Sequence, residues 1–157
     1  MKNIRFACAL MMAACGAGSL WAQSLDVQNP WVRATVQGQR ATGAFMTLTA
    51  KDGAKLVGVS TPVAGVAEVH EMKMDGGVMQ MRAVEGGLDL PAGKPVALSP
   101  GGFHLMLMDL KLGLKANATI PLTLVTKDAK GVETKTEVKV PVLLTPPGNA
   151  KEHMHGG

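Results

Sequence analysis

From Leu25 onward the chain is written in short apolar runs, broken at close intervals by Gly, Pro, Asn or Asp. Several of these runs alternate apolar with polar residues, the period-two signature of a strand with one buried face. The pattern predicts strands at residues 26–34, 43–49, 55–60, 67–74, 78–83, 96–98, 103–110, 120–126 and 132–140. No window sustains an apolar helical period over three turns. Many short strands separated by turn signals predict an all-β sandwich or barrel. Asp75-Gly76-Gly77 joins two alternating runs and so predicts a hairpin. The run from residue 133 to 140 alternates as a half-exposed last strand does.

Alternation also assigns faces, because residues two apart in a strand point the same way. His104, Met106 and Met108 share one face, and Leu105, Leu107 and Asp109 the other. Upstream, His70, Met72 and Met74 share a face, and beyond the turn so do Met79 and Met81. The predicted hairpin sets the His70 and Met81 strands side by side. His70, Met81, His104 and Met106 can then close an N2S2 tetrahedron. Thioether sulfur selects Cu(I) among biological metals, and imidazole tolerates it.

A methionine in a strand is ordinarily gap filler, and Met46 is assigned to the core on that ground. What singles out Met81 and Met106 is their coupling to His70 and His104, which are the two histidines of the predicted β-domain. Met72 and Met108 share faces with these donors. They form either a sulfur-rich rim that receives copper or ordinary apolar cover. Trp31 is assigned to the core, where aromatic residues are scarce. Asp109, on the face opposite His104, is assigned to a turn or surface contact. All four candidate donors are uncharged, so a bound ion can pass to a tighter acceptor by ligand exchange. Protonation competes for copper only at the two imidazoles, so binding weakens in mild acid.

The ends of the chain set its compartment. Lys2 and Arg5 form a basic start, an apolar stretch follows from Phe6, and small residues lead to Ala22. This reads as a secretory signal peptide over residues 1–22, too short to span a bilayer. A competing reading processes the chain at Met12-Ala13-Ala14-Cys15 and anchors it by lipid on Cys15. Cys8 and Cys15 are the two cysteines, so a chain cut after Ala22 has none. That excludes a disulfide framework, a zinc–thiolate site, a cysteine nucleophile and a blue-copper centre. Without Lys2 and Arg5, 14 basic residues face 12 acidic ones. They are scattered rather than clustered, which excludes nucleic acid as a partner. No serine, histidine and carboxylate stand in a recognisable catalytic pattern, and a filled N2S2 site leaves no open position for substrate, so the chain reads as a non-enzyme. Thr145-Pro146-Pro147-Gly148 closes the domain, and residues 146–157 form a tail with His153, Met154 and His155. Such a His/Met cluster is a candidate secondary site for Cu(II), which prefers nitrogen donors.

With these residues the chain resembles the periplasmic Cu(I) chaperones of the PCu(A)C family. The resemblance is carried by His70, Met81 eleven positions on, His104 twenty-three further, and Met106. The flanking words match as well: Pro30-Trp31-Val32-Arg33-Ala34, the hairpin from Met74 to Met81, Leu90-Pro91-Ala92-Gly93, and the run from Pro100 to Met108. It covers roughly residues 25–142. The resemblance implies a single cupredoxin-like Greek-key β-sandwich at 23–145, binding one Cu(I). It also implies an acceptor: the CuA centre of cytochrome c oxidase, served directly or with a Sco-type thioredoxin-fold partner, by a monomeric donor. Two departures concern packing. The strand at 120–126 lacks a phenylalanine near its end, and Lys115-Ala116-Asn117 stands where the family has a glycine-containing turn. Two other functions fit the same text. One is a copper-buffering or resistance protein without a dedicated client; the other is an immunoglobulin-like interaction module that binds no metal.

Overall fold

A computed structural model describes residues 24–148. Among them ten strands and no helix occur: β1 (Leu25–Arg33), β2 (Ala41–Ala50), β3 (Ala54–Ser60), β4 (Ala64–Asp75), β5 (Val78–Ala83), β6 (Leu88–Leu90), β7 (Val96–Leu98), β8 (His104–Leu110), β9 (Thr119–Lys127) and β10 (Glu133–Leu143). They run in the order β5-β4-β8-β2-β1-β10-β9-β3-β6, with β7 added on β2. Only β1 and β10 pair in parallel. The sheet folds over on itself, so that Leu48, Leu105 and Leu107 from one half meet Leu56, Leu122, Leu124 and Val140 from the other in one buried cluster. The fold is all-β and one domain, as the alternation predicts.

The predicted runs at 78–83 and 96–98 match β5 and β7, and the other predicted strands differ only at their ends. β6 is an addition. Its three residues lie between Gly87 and Pro91, and pairing of Ala54, Lys55 and Leu56 with Leu90, Asp89 and Leu88 makes them a strand. A run that short carries no period of its own.

Turn chemistry fixes the registers. Gly76 and Gly77 hold φ of 58° and 83° between β4 and β5. Positive φ at both central residues is the type I′ geometry, whose twist matches a two-residue hairpin. Register then follows as Asp75 opposite Val78, Met74 opposite Met79, Met72 opposite Met81 and His70 opposite Ala83. In the turn at Lys115-Ala116-Asn117, where the resemblance implies a glycine, Asn117 takes φ 69°. Asparagine is among the few residues that visit this region readily, so the departure is absorbed locally.

One bulge decides which face the buried Trp31 packs on. In β1, Gln28 pairs with Thr47 and Trp31 with Phe45, so three residues of β1 span two of β2. Asn29 sits in the extra step with φ 49°. An inserted residue reverses the facing of everything beyond it. Val27 and Val32 therefore both face the core, although five positions apart, and Trp31 turns to the outer surface. Trp31 is buried there as assigned, at 4% exposure, packed on Phe45 beside the leucine cluster. Met46 lies in the core cluster, also as assigned. Asp109 is exposed and ion-paired to Arg40.

Candidate metal centre

β8 lies between β4 and β2, and this neighbourhood builds the site. His70 and His104 are direct cross-strand partners, so their side chains rise from the same face with ring centroids 6.0 Å apart. That face is the outer one. The adjacent pair along the ladder, Val69 and Leu105, points into the core. Both imidazoles are nonetheless buried, at 9% and 7% exposure, because other side chains of the outer face close around them. Phe45 stands 6.4 Å from His104, centroid to centroid, and Trp31 packs on Phe45 at 4.7 Å. The Arg33 guanidinium lies 5.8 Å over the Phe45 ring, a cation–π contact that pins it.

The hydrogen bonds decide which nitrogens are left for a metal. His104 Nδ1 is 3.1 Å from the Gly102 carbonyl oxygen, which can only accept. In the neutral ring the proton therefore sits on Nδ1, and Nε2 carries a lone pair. That nitrogen faces the Met81 sulfur at 3.1 Å. A nitrogen lone pair and a thioether sulfur thus face one another with no proton between them.

His70 has the mirror arrangement. Its Nε2 lies 3.0 Å from a carboxylate oxygen of Glu68, which accepts the ring proton. The lone pair falls to Nδ1, which is buried and has no hydrogen-bond partner. A buried polar atom without a partner is costly in an ordinary fold. A carboxylate that holds the distal N–H of an imidazole is the usual support of a metal-binding histidine. Glu68 was not singled out by motif. Its signal was present all the same, since it stands two residues before His70 and so on the same face.

Met106 rises from this face two positions beyond His104, with Glu68 and Gly43 as its cross-strand neighbours. Met72 sits beside Met81, and Met108 beside Val66 and Ala41. Met72, Met106 and Met108 are each half-buried, and Met81 is 47% exposed. The site thus has a closed aromatic side and an open sulfur side. Among the described residues no three His, Cys, Asp or Glu side chains gather as a metal site. His153, Met154 and His155, and the N-terminal residues with Cys15, lie outside the described residues.

Gly43 gives the aromatic wall room. A Cβ at this position would stand 2.7 Å from the tip of the Phe45 ring, closer than carbon atoms approach. Gly43→Ala is therefore expected to push Phe45 off His104 and loosen its stack on Trp31. The emission maximum of Trp31 in the chain lacking residues 1–22, where it is the sole tryptophan, should move to the red. An unchanged maximum would show that the wall does not depend on this clearance.

The family model described as "Putative lipoprotein LpqE-like" matches residues 25–142. Among curated proteins, "Putative lipoprotein Lxx21020" of Leifsonia xyli subsp. xyli (strain CTCB07) is 34% identical over 103 residues, 66% of this chain. The match spans 62% of that relative's own length. The solution structure of the Cu(I) form of DR1885 from Deinococcus radiodurans is 32% identical, with a TM-score of 0.58 over 83% of this chain and 84% of that one. A copper-bound PCuAC domain from PmoF2 shares the fold at 21% identity, with a TM-score of 0.60 over 79% of this chain and 96% of that one.

Proposed function

This chain belongs to the PCu(A)C family, whose LpqE-like model it matches, and from that premise we propose that it is an exported copper chaperone. It carries one Cu(I) as cargo on His70, Met81, His104 and Met106 and releases it by ligand exchange. The observation that carries this reading is the pair of bare nitrogens. His70 Nδ1 is buried without a partner, and His104 Nε2 faces the Met81 sulfur at 3.1 Å. Each imidazole has its second nitrogen already engaged, by Glu68 or by the Gly102 carbonyl, so binding demands little rearrangement. A relative at 32% identity solved with Cu(I) supports copper as the ion.

Release follows from the same donors. None of the four is charged, so the ion lacks the stabilisation of a thiolate and yields to an acceptor that offers one. Met81 is the exposed donor and the natural first contact with that acceptor. The acceptor is the CuA centre of cytochrome c oxidase, reached directly or through a Sco-type thioredoxin-fold protein. What supports it is family membership together with the uncharged donor set. Relatives described as lipoproteins support export. The periplasm is the compartment of the proposal, reached by cleavage after Ala22 or by anchoring at Cys15. His153, Met154 and His155 supply a secondary site for Cu(II).

The reading is tested by anaerobic Cu(I) titration of the purified protein against a chromophoric chelator. One tightly held equivalent is expected; failure of the protein to compete would overturn the proposal. Glu68 refines it. Glu68→Ala frees the proton-bearing nitrogen of His70 and should lower Cu(I) affinity by about 10–100-fold, the usual cost of losing an outer-shell partner. Glu68→Gln keeps an acceptor oxygen and should retain most of the affinity. Equal affinity in wild type and Glu68→Ala would remove Glu68 from the account.

A further inference from the structure

Three methionines of the β4–β5 hairpin lie outside the four-donor cluster. Met72 faces Met81 across the hairpin, and Met74 faces Met79. The four thioethers make two adjacent rungs on one face of the ribbon, with opposed Cβ atoms about 5 Å apart. The opposite face carries Glu71, Lys73, Asp75, Gln80 and Arg82, and Glu71 and Arg82 form an ion pair at 3.0 Å. Sulfur is thus segregated from charge on a ribbon only two strands wide.

Packing does not account for the outer two, Met74 and Met79. The β4–β8 pairing ends at His70 and His104, with a last backbone contact from Met72 N–H to the Gly102 carbonyl at 3.3 Å. Beyond it the hairpin runs past the body of the domain. Met74 is 59% exposed and Met79 47%. Methionine serves as filler where a core has irregular gaps, and here there is no core to fill. A two-stranded ribbon of this kind is also marginal by itself, so apolar side chains at its tip add little to stability. What remains is their chemistry: three soft, uncharged donors on one surface, opening onto a fourth that already faces His104.

We propose that Met72, Met74 and Met79 form a second, weaker Cu(I) site, built of thioethers alone. It lies at the outer end of the hairpin and passes its ion to the four-donor site through Met81. Three thioethers match the low coordination number and softness of Cu(I) and offer little to Zn(II) or Cu(II). The step inward is an exchange of one sulfur for another, from Met72 to Met81 directly opposite, and it moves neither proton nor electron. The relay rests on the four-donor reading above, whereas the second site can be measured by itself.

The test is a Cu(I) titration of the purified protein against a weak chelator under anaerobic, reducing conditions. It is run beside Met74→Leu/Met79→Leu, a change that conserves volume at exposed positions. The wild type should take up two equivalents, the second weaker, and the double variant only the first. In a sample labelled with ¹³C at the methionine methyl groups, the Met74 and Met79 resonances should move with the second equivalent. A single equivalent in the wild type, or a second one retained by the double variant, would overturn the second site and leave the first intact. Loss of both equivalents in the double variant would also overturn it, by merging the hairpin into the first site. Absence of any bound copper in the wild type would instead overturn the four-donor reading, and the relay with it.

Discussion

Replacing His104 by alanine should reduce Cu(I) affinity by at least about 100-fold, because loss of a donor exceeds the 10–100-fold usual for an outer-shell partner. The β-domain should keep its fold. His104 rises from the outer face of β8, and its removal leaves Leu105 and Leu107 in the core untouched. Its one backbone contact, the bond to the Gly102 carbonyl, contributes roughly 1 kcal/mol by ordinary standards. Met106→Leu is the companion variant. It conserves volume and should leave the unfolding midpoint in place while lowering affinity, since a branched hydrocarbon replaces a thioether. The check is the same chelator competition, with far-UV circular dichroism showing that each variant is folded. Wild-type affinity in both would remove β8 from the site and with it the proposed function.

The neighbouring residue should do the reverse. Leu105 is fully buried beneath the site, on the core face between His104 and Met106. Leu105→Ala is expected to cost about 2–5 kcal/mol, from lost burial together with the cavity left behind. For a domain of this size the unfolding midpoint should fall by on the order of 10 °C. Below that midpoint Cu(I) affinity should stay close to that of wild type, because no donor or supporting hydrogen bond lies on the Leu105 side of the strand. Adjacent positions of one strand would then separate copper binding from stability. Equal losses of affinity in both variants would show that β8 does not divide the two tasks by face.

Much of this arrangement was legible before folding. Alternation placed His104, Met106 and Met108 on one face and Leu105 and Leu107 on the other, and the structure keeps that division. The two glycines after Asp75 set the hairpin register, because glycine readily supplies the positive φ that a two-residue hairpin turn needs. Softness of the donors was legible too, since it belongs to the side chains and not to the fold. Glu68 could have been found by the same period-two rule, two residues before His70, had hydrogen-bonding partners of histidine been sought along with metal donors.

The burial of Trp31 was legible, but its facing was not. Its facing depends on one extra residue in β1 relative to β2, and a bulge appears only when two strands are laid side by side. β6 was missed for a related reason. Three residues show no period, and their strand character comes from pairing with β3.

By itself the sequence determined what each strand offers: which residues share a face, which faces are oily, and which carry imidazole and sulfur. Those properties are local, written in side-chain chemistry and in a backbone period of two. Tertiary structure alone decided which strands become neighbours and which face turns outward. Placing β8 beside β4 sets His104 opposite His70, and folding the sheet over on its leucines leaves that pair on the outside. There Phe45 and Trp31, turned by a bulge, close one side and the hairpin methionines leave the other open. Contacts between residues so far apart in the chain are selected by burial of the whole core, and no single run of residues encodes that choice.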